Sequence, residues 1–275
     1  MTSSDTTWTE AELTLDGRKV FYRRSPDVEG GVPIVHVHGF GISGSYLMPT
    51  ARLLTDRGAN VVPDLPGYGR SENPEHTLGI PALARALIKI LDQLGFEKVI
   101  LVGNSMGCPI SLEVAHSAPE RVHRVVLVSA AGGAANQPFS RALKQMAIDG
   151  VRESPKMARV AVPDYIRFGL VNSLNLLSEL TRFPSLDRLI ELPVPALAVV
   201  GSKDPLMPPP SRVREVSRLA PANVTVVLIE GAAHAINFSH PGELAHVITS
   251  WLDGDEIVDD PDQPGFTRVL QLPRT

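Results

Sequence analysis

The sequence predicts an α/β protein, a mostly parallel central sheet flanked by helices and interrupted by one helical insertion. Three observations lead there. Short Val- and Ile-rich runs recur at residues 32–38, 60–63, 98–102, 122–129, 196–201 and 224–229, and continuously apolar runs of that length suit strands covered on both faces. Between them, residues 46–57, 80–94, 106–117, 210–219 and 241–252 carry apolar side chains at three- and four-residue spacing, the period of a helix with one buried face. Such alternation implies right-handed crossovers and parallel pairing. Finally, residues 133–191 hold no strand-like run and are punctuated by Pro138, Pro155, Pro163 and Pro184, which predicts several helices separated by prolines over one edge of the sheet.

The chain opens with two alternating stretches between Glu12 and Arg23 that flank Asp16-Gly17, a dipeptide suited to the positive φ angles of a two-residue hairpin turn. Residues 1–132 and 192–252 are expected to form one core, 133–191 the insertion, and 253–275 an acidic, proline-containing tail exposed to solvent. With 26 Lys plus Arg against 30 Asp plus Glu, a net charge of −4 offers little attraction for nucleic acid or an anionic membrane surface. Cys108 is the sole cysteine, so no intrachain disulfide forms. The first residues lack a basic start and an apolar core, and no apolar run approaches the roughly 18 residues that span a bilayer. The expectation is a soluble, cytoplasmic protein.

The chemistry concentrates at strand ends. Residues 98–102 run into Gly103-Asn104-Ser105-Met106-Gly107 and then a helix, so G-x-S-x-G occupies the strand-to-helix turn that exposes a serine nucleophile. Glycines flank it where strand and helix approach too closely for a Cβ. A serine hydroxyl needs a base within reach and a third group to orient that base. Asp204 follows the strand at 196–201, and His234 follows the strand at 224–229 on a small-residue loop. Both emerge at the carboxyl edge of the sheet, where open α/β folds place ligands. Ser105, Asp204 and His234 are therefore read as nucleophile, acid and base. His38-Gly39-Phe40-Gly41 after the 32–38 strand lets backbone amides approach a developing oxyanion. Phe40 supplies one such N–H and Met106 the other, with Gly39, Gly41 and Asn104 lining the substrate pocket.

Taken in order, HGFG, then Asp64-Leu-Pro-Gly-Tyr-Gly-Arg-Ser71, then GNSMG, Asp204 and His234 resemble the α/β-hydrolase family. The resemblance spans roughly residues 13–252. It implies a helical cap at 133–191 and hydrolysis of an acyl bond without a cofactor or metal. The substrate expected is a small-molecule carboxylic ester or lactone, small to medium and largely apolar. The GNSMG elbow is similar to that of many esterases and to that of carbon–carbon bond hydrolases acting on ring-cleavage products. In that second branch the oxyanion loop usually reads His-Gly-x-Gly-Pro-Gly, whereas Gly41-Ile42-Ser43-Gly44 stands here. A non-catalytic ligand-binding member is the remaining alternative.

Other residues admit rival readings. Gly39-Phe-Gly-Ile-Ser-Gly44 with Asp64 twenty residues on matches the dinucleotide fingerprint, but Asp64 is better read as anchoring its own turn. His36 and His38 share a strand face without a third metal ligand; His36 reads as a core histidine and His38 as support for the oxyanion loop. His240 is the rival base, six residues past His234. Cys108, three residues after Ser105, reads as packing. Met48, Met146, Met157, Phe139, Tyr165, Phe168 and Phe183 are pocket or core candidates, and Arg167, Arg182 and Arg188 are candidate contacts for a carboxylate. Activity is expected to rise with pH through a histidine-like pKa of about 6.5, moved by the surroundings of His234.

Overall fold

In the computed structural model, which describes residues 7–130, 136–153, 155–168, 170–260 and 268–273, the chain enters through a hairpin. Strands β1 (Thr9–Leu15) and β2 (Arg18–Arg24) pair antiparallel with Leu15 opposite Arg18. Asp16 and Gly17 have φ of 50° and 79°, the pair of positive values that matches the turn to the twist of its strands. Six strands then alternate with helices: β3 (Ile34–Val37), β4 (Asn60–Pro63), β5 (Val99–Asn104), β6 (Val122–Val128), β7 (Ala196–Gly201) and β8 (Val224–Ile229). β3 to β8 pair in parallel, while β2 joins β4 antiparallel. Among the described residues the order across the sheet is β1-β2-β4-β3-β5-β6-β7-β8-β9, with β9 (Val269–Gln271) at the far edge.

The two-residue period of the strands divides the core into two layers. Val35, Val37, Leu101 and Val125 face one side, packed with Leu83, Leu87 and Ile90 of α2 (Ile80–Gln93) and Leu112 of α3 (Gly107–Ser117). Ile34, Val102, Val126 and Leu197 face the other, packed with Leu244, Val247 and Ile248 of α10 (Pro241–Asp253). A fully buried Leu or Ile contributes about 1.5–3 kcal/mol, so both faces demand the continuous apolar runs seen in the sequence. A 3₁₀ turn at Gly44–Leu47 leads into α1 (Met48–Leu53), while α8 (Pro210–Ser217) links β7 to β8 and α9 (Ile236–Ser239) precedes α10.

Among the described residues, helical segments α4 (Phe139–Arg152), α5 (Pro155–Phe168), α6 (Leu170–Arg182) and α7 (Ser185–Ile190) lie between β6 and β7. Pro163 was expected to separate two of them, yet α5 runs through it; a proline removes one amide donor, and one missing bond does not end this helix. Acidic side chains seat the insertion on core amides. Asp164 Oδ2 accepts from the Ser43 N–H and Glu179 Oε1 from the Ile80 N–H, both at 2.8 Å. The second satisfies an otherwise unpaired donor at the start of α2, where negative charge is favoured. Phe168 adds an apolar anchor, stacked on Tyr68 and edge-on to Phe40.

The tail departs from the expectation of a solvated segment. Residues 269–271 form β9, antiparallel to β8, with Val269 and Leu272 buried. Upstream, Ile257 is buried and Asp259 Oδ1 accepts from the Val269 N–H at 2.6 Å. The unpaired edge of β8 supplies the driving force, because its backbone groups bond the tail. Pro261 and Pro264, and residues 133–135 at the start of the insertion, lie outside the described residues.

Candidate active site

Ser105 sits between β5 and α3 with φ of 55°, a left-handed conformation that non-glycine residues adopt chiefly where the surroundings compel it. The flanking glycines explain how the turn closes. A Cβ on Gly103 would collide with the Gly107 carbonyl, and one on Gly107 with the Val37 carbonyl. The Ser105 N–H donates to Val128 O at 3.0 Å, tying the turn to the end of β6. The serine therefore stands over the sheet at the start of α3, on the helix's positive end.

Asp204 follows β7 and His234 follows β8, and the sheet's register brings their loops together. His234 Nδ1 donates to Asp204 Oδ2 at 2.8 Å, while Asp204 Oδ1 accepts from the Leu206 N–H at 2.8 Å. Both carboxylate oxygens are thus occupied. Burial opposes charge on Asp204, but His234 and the Leu206 amide outweigh it and hold the carboxyl below its ordinary value. Burial also opposes charge on His234, and here Asp204, then Asp149 and Glu153, push its pKa up to about 9. The surroundings thus move the expected histidine value upward, because two carboxylates besides Asp204 face this ring.

Ser105 and His234 line one cavity of about 620 Å³, together with Gly39, Phe40 and Asn104. Gly41, expected in the pocket, is not among its lining residues, because the Tyr165 ring from α5 covers the space a Cβ would take. Of the apolar candidates, Phe40, Met146, Met157 and Tyr165 line the cavity, whereas Met48, Phe139, Phe168 and Phe183 do not. None of the three candidate arginines does either. Arg167 Nη1 bonds Gly69 O, Arg188 pairs with Glu113 at 3.1 Å, and Arg182 is exposed. The charged wall residues are Asp149 and Glu153, spaced i,i+4 along α4 and its end on the same face as Met146. Sequence reasoning missed them, since acids at helical spacing usually mark a solvated face; their register with Met146 was the available signal.

A Cβ on Gly39 would lie 3.2 Å from the Ser105 Cβ, so the loop leading to Phe40 runs beside the serine, and among the described residues no backbone carbonyl outside the helices and strands accepts from the Phe40 or Met106 N–H. His38 braces the loop ahead of them: Nδ1 donates to Gly39 O at 2.9 Å and Nε2 accepts from the Leu65 N–H at 3.0 Å. Tyr46 was not anticipated. Its hydroxyl accepts from the Gly39 N–H at 2.8 Å and donates to Asn104 Oδ1 at 2.6 Å. Asn104 Nδ2 in turn donates to Val128 O and His234 O at 3.2 and 3.3 Å.

The rival residues find other partners. His36 Nε2 bonds Asn60 Oδ1 at 2.7 Å, and burial lowers its pKa to about 4, leaving a neutral core histidine. Among the described residues no His, Cys, Asp and Glu group fits a metal ion. Asp64 is spent on the Gly44 and Arg70 amides and the Arg23 guanidinium, at 2.8, 3.0 and 3.0 Å. His240 bonds Ser239 Oγ at 2.9 Å ahead of α10, outside the cavity wall. The Cys108 thiol is buried against the Gly103 and Val128 carbonyls, and burial pushes its pKa up.

Residues 34–247 match the model of the alpha/beta hydrolase family, and the chain belongs to that family. An uncharacterised protein of Mycobacterium bovis (strain ATCC BAA-935 / AF2122/97) is 34% identical over 124 residues, which cover 44% of this chain but only 36% of that protein. A poly(3-hydroxyalkanoate) depolymerase of Ectopseudomonas oleovorans is 25% identical over 216 residues, 71% of this chain and 76% of its own length. Among solved structures, a bacterial membrane phospholipase A, described as a virulence factor, superposes with a TM-score of 0.76 at 22% identity, covering 90% of this chain and 86% of the other. At that identity the likeness concerns the fold. Among the described residues no helix is long and apolar enough to cross a membrane.

Proposed function

We propose that the protein is a serine hydrolase that needs no cofactor and cleaves a carboxylic ester or lactone through an acyl-enzyme. Ser105 attacks the carbonyl, and His234 takes its proton through Nε2, because Nδ1 is committed to Asp204. Asp204 fixes the imidazole tautomer and stabilises the charged ring. The Phe40 and Met106 amides hold the oxyanion. Helices α4 to α7 form the cap. One observation carries the reading: the 2.8 Å His234–Asp204 pair opens onto the same cavity as a serine held at positive φ.

The cavity wall favours a largely apolar substrate of small to medium size, since Ile42, Met146, Met157, Leu177 and Leu180 supply much of it. The depolymerase relative accords with ester chemistry. Hydrolysis of p-nitrophenyl butyrate by the wild type and Ser105→Ala tests the reading, with mass spectrometry after fluorophosphonate treatment. Turnover and a single adduct at Ser105, both lost in Ser105→Ala, are expected. Turnover persisting in Ser105→Ala, with no adduct on the wild type, overturns it.

A further inference from the structure

The end of α4 reaches both loops that carry the acid and the base. Glu153 Oε1 accepts from the N–H of Ala235, the residue after His234, at 2.7 Å. Its neighbour Arg152 donates through Nη1 to the carbonyl of Lys203, the residue before Asp204, at 2.8 Å. One turn back, Asp149 lines the same wall. Glu153 Oε2 is buried with no hydrogen-bond partner among the described residues, and Asp149 is partly buried facing His234, where burial raises its pKa to about 7. A solvated helix face would not bury them so, because an unpaired buried carboxylate oxygen is unfavourable. The charged groups facing the His234 ring are Asp204 from the loop after β7, and Asp149 and Glu153 from α4. The titratable wall residues besides these are Tyr46 and Tyr165.

We propose that Glu153, with Asp149, is a positioning residue for His234. The end of α4 fixes the base-bearing loop through the Ala235 amide and sets negative charge against the imidazole, so the base is aligned only while the insertion is seated. This rests on the serine-hydrolase reading above. It also gives the insertion a second role besides covering the cavity, since the same helix that shapes the substrate wall holds the proton acceptor in register. Misplacement of a catalytic group by about 1 Å can cost roughly 100-fold in rate, which makes one backbone bond next to the base consequential.

The test compares Glu153→Ala, Glu153→Gln and Asp149→Asn in the full chain. Glu153→Ala removes both bond and charge, whereas Glu153→Gln keeps an acceptor for the Ala235 N–H. Glu153→Ala is expected to lower kcat for p-nitrophenyl butyrate by about tenfold with KM changed less than about twofold. Glu153→Gln recovers most of that loss but moves the rising limb of the pH profile down by about half a pH unit, and Asp149→Asn moves it in the same direction. Fluorophosphonate labelling of Ser105 is followed in every variant. Should Glu153→Ala fail to fold, the limb of Glu153→Gln decides. Wild-type turnover and labelling with unmoved limbs in Glu153→Gln and Asp149→Asn sinks this proposal alone. A wild type that neither turns over nor labels removes the hydrolase reading, and the proposal with it.

Discussion

Tyr46 and Asn104, 58 residues apart, meet through a 2.6 Å bond from the tyrosine hydroxyl to the asparagine carbonyl. The same hydroxyl receives the Gly39 N–H, and the same asparagine reaches the His234 carbonyl. A single phenol therefore bridges the loop before Phe40 and the turn that holds Ser105, and through Asn104 it is linked to the His234 backbone.

Tyr46→Phe removes that bridge without changing the ring. Two buried groups, the Gly39 amide and Asn104 Oδ1, lose a partner, and a buried group left unpaired costs about 1–3 kcal/mol. The expected result is a lower melting temperature, roughly 2–4 °C per kcal/mol for a chain of this size, with kcat falling more than KM changes. Calorimetry with steady-state kinetics checks it; an unchanged melting temperature contradicts the bridge.

Gly107→Ala drives a Cβ into the Val37 carbonyl, so either β3 or the Ser105 turn has to move. Forced shifts in a packed core cost about 1–3 kcal/mol and occasionally more. Loss of fluorophosphonate labelling, together with a lower urea midpoint, is expected. A variant as stable and as readily labelled as the wild type would contradict the close approach of α3 to β3.

His234 accepts a proton only when neutral, and burial is outweighed by carboxylates that push its pKa up to about 9. kcat/KM is therefore expected to rise with pH along a limb lying above the ordinary value of 6.5. Asp204→Asn should move the limb down and lower kcat by roughly 10⁴ through loss of the correct tautomer. Folding follows the same ionisations. The charged His234 stabilises the fold fully below the unfolded value of 6.5, and this contribution fades as pH rises through about 9. Asp204 contributes above the unfolded carboxyl value of 3.8, and its share is lost as pH falls through its lower folded pKa. Urea midpoints of wild type and Asp204→Asn should lie further apart near about pH 6 than near about pH 10. A constant gap would mean that the pair does not titrate as described.

Cys108→Ala tests whether the thiol shares in the chemistry. Its sulfur bonds two main-chain carbonyls and burial raises its pKa, which keeps it protonated and unreactive. Labelling of Ser105 should persist, with stability lower by about 1 kcal/mol from the small cavity. Loss of labelling in a folded variant would reverse that assignment.

The strands, the hairpin and the order of Ser105, Asp204 and His234 were legible because each rests on local rules: two-sided burial, a two-residue turn, a glycine-flanked elbow. What escaped was set by partners distant in sequence. Tyr46 looks like any aromatic at a helix start until β5 brings Asn104 beside it. Asp149 and Glu153 look solvated until α4 folds over the loop after β8. Gly41 was assigned to the pocket by its neighbours, and only the position of Tyr165 displaces it. β9 is three residues long in a proline- and acid-rich stretch, too short for periodicity to register.

That last strand has a bearing on colloidal behaviour. Without it, β8 would present a row of unpaired amides and carbonyls to which any extended peptide can add. Covered by Val269–Gln271, with Pro273, which has no amide to offer, two residues further on, this side of the sheet ends in a border too brief to recruit a foreign chain. The acidic residues leading into it, Asp255, Glu256 and Asp259, repel like-charged neighbours. The chain thus guards this border of its sheet against edge-to-edge pairing with a segment remote from the cavity.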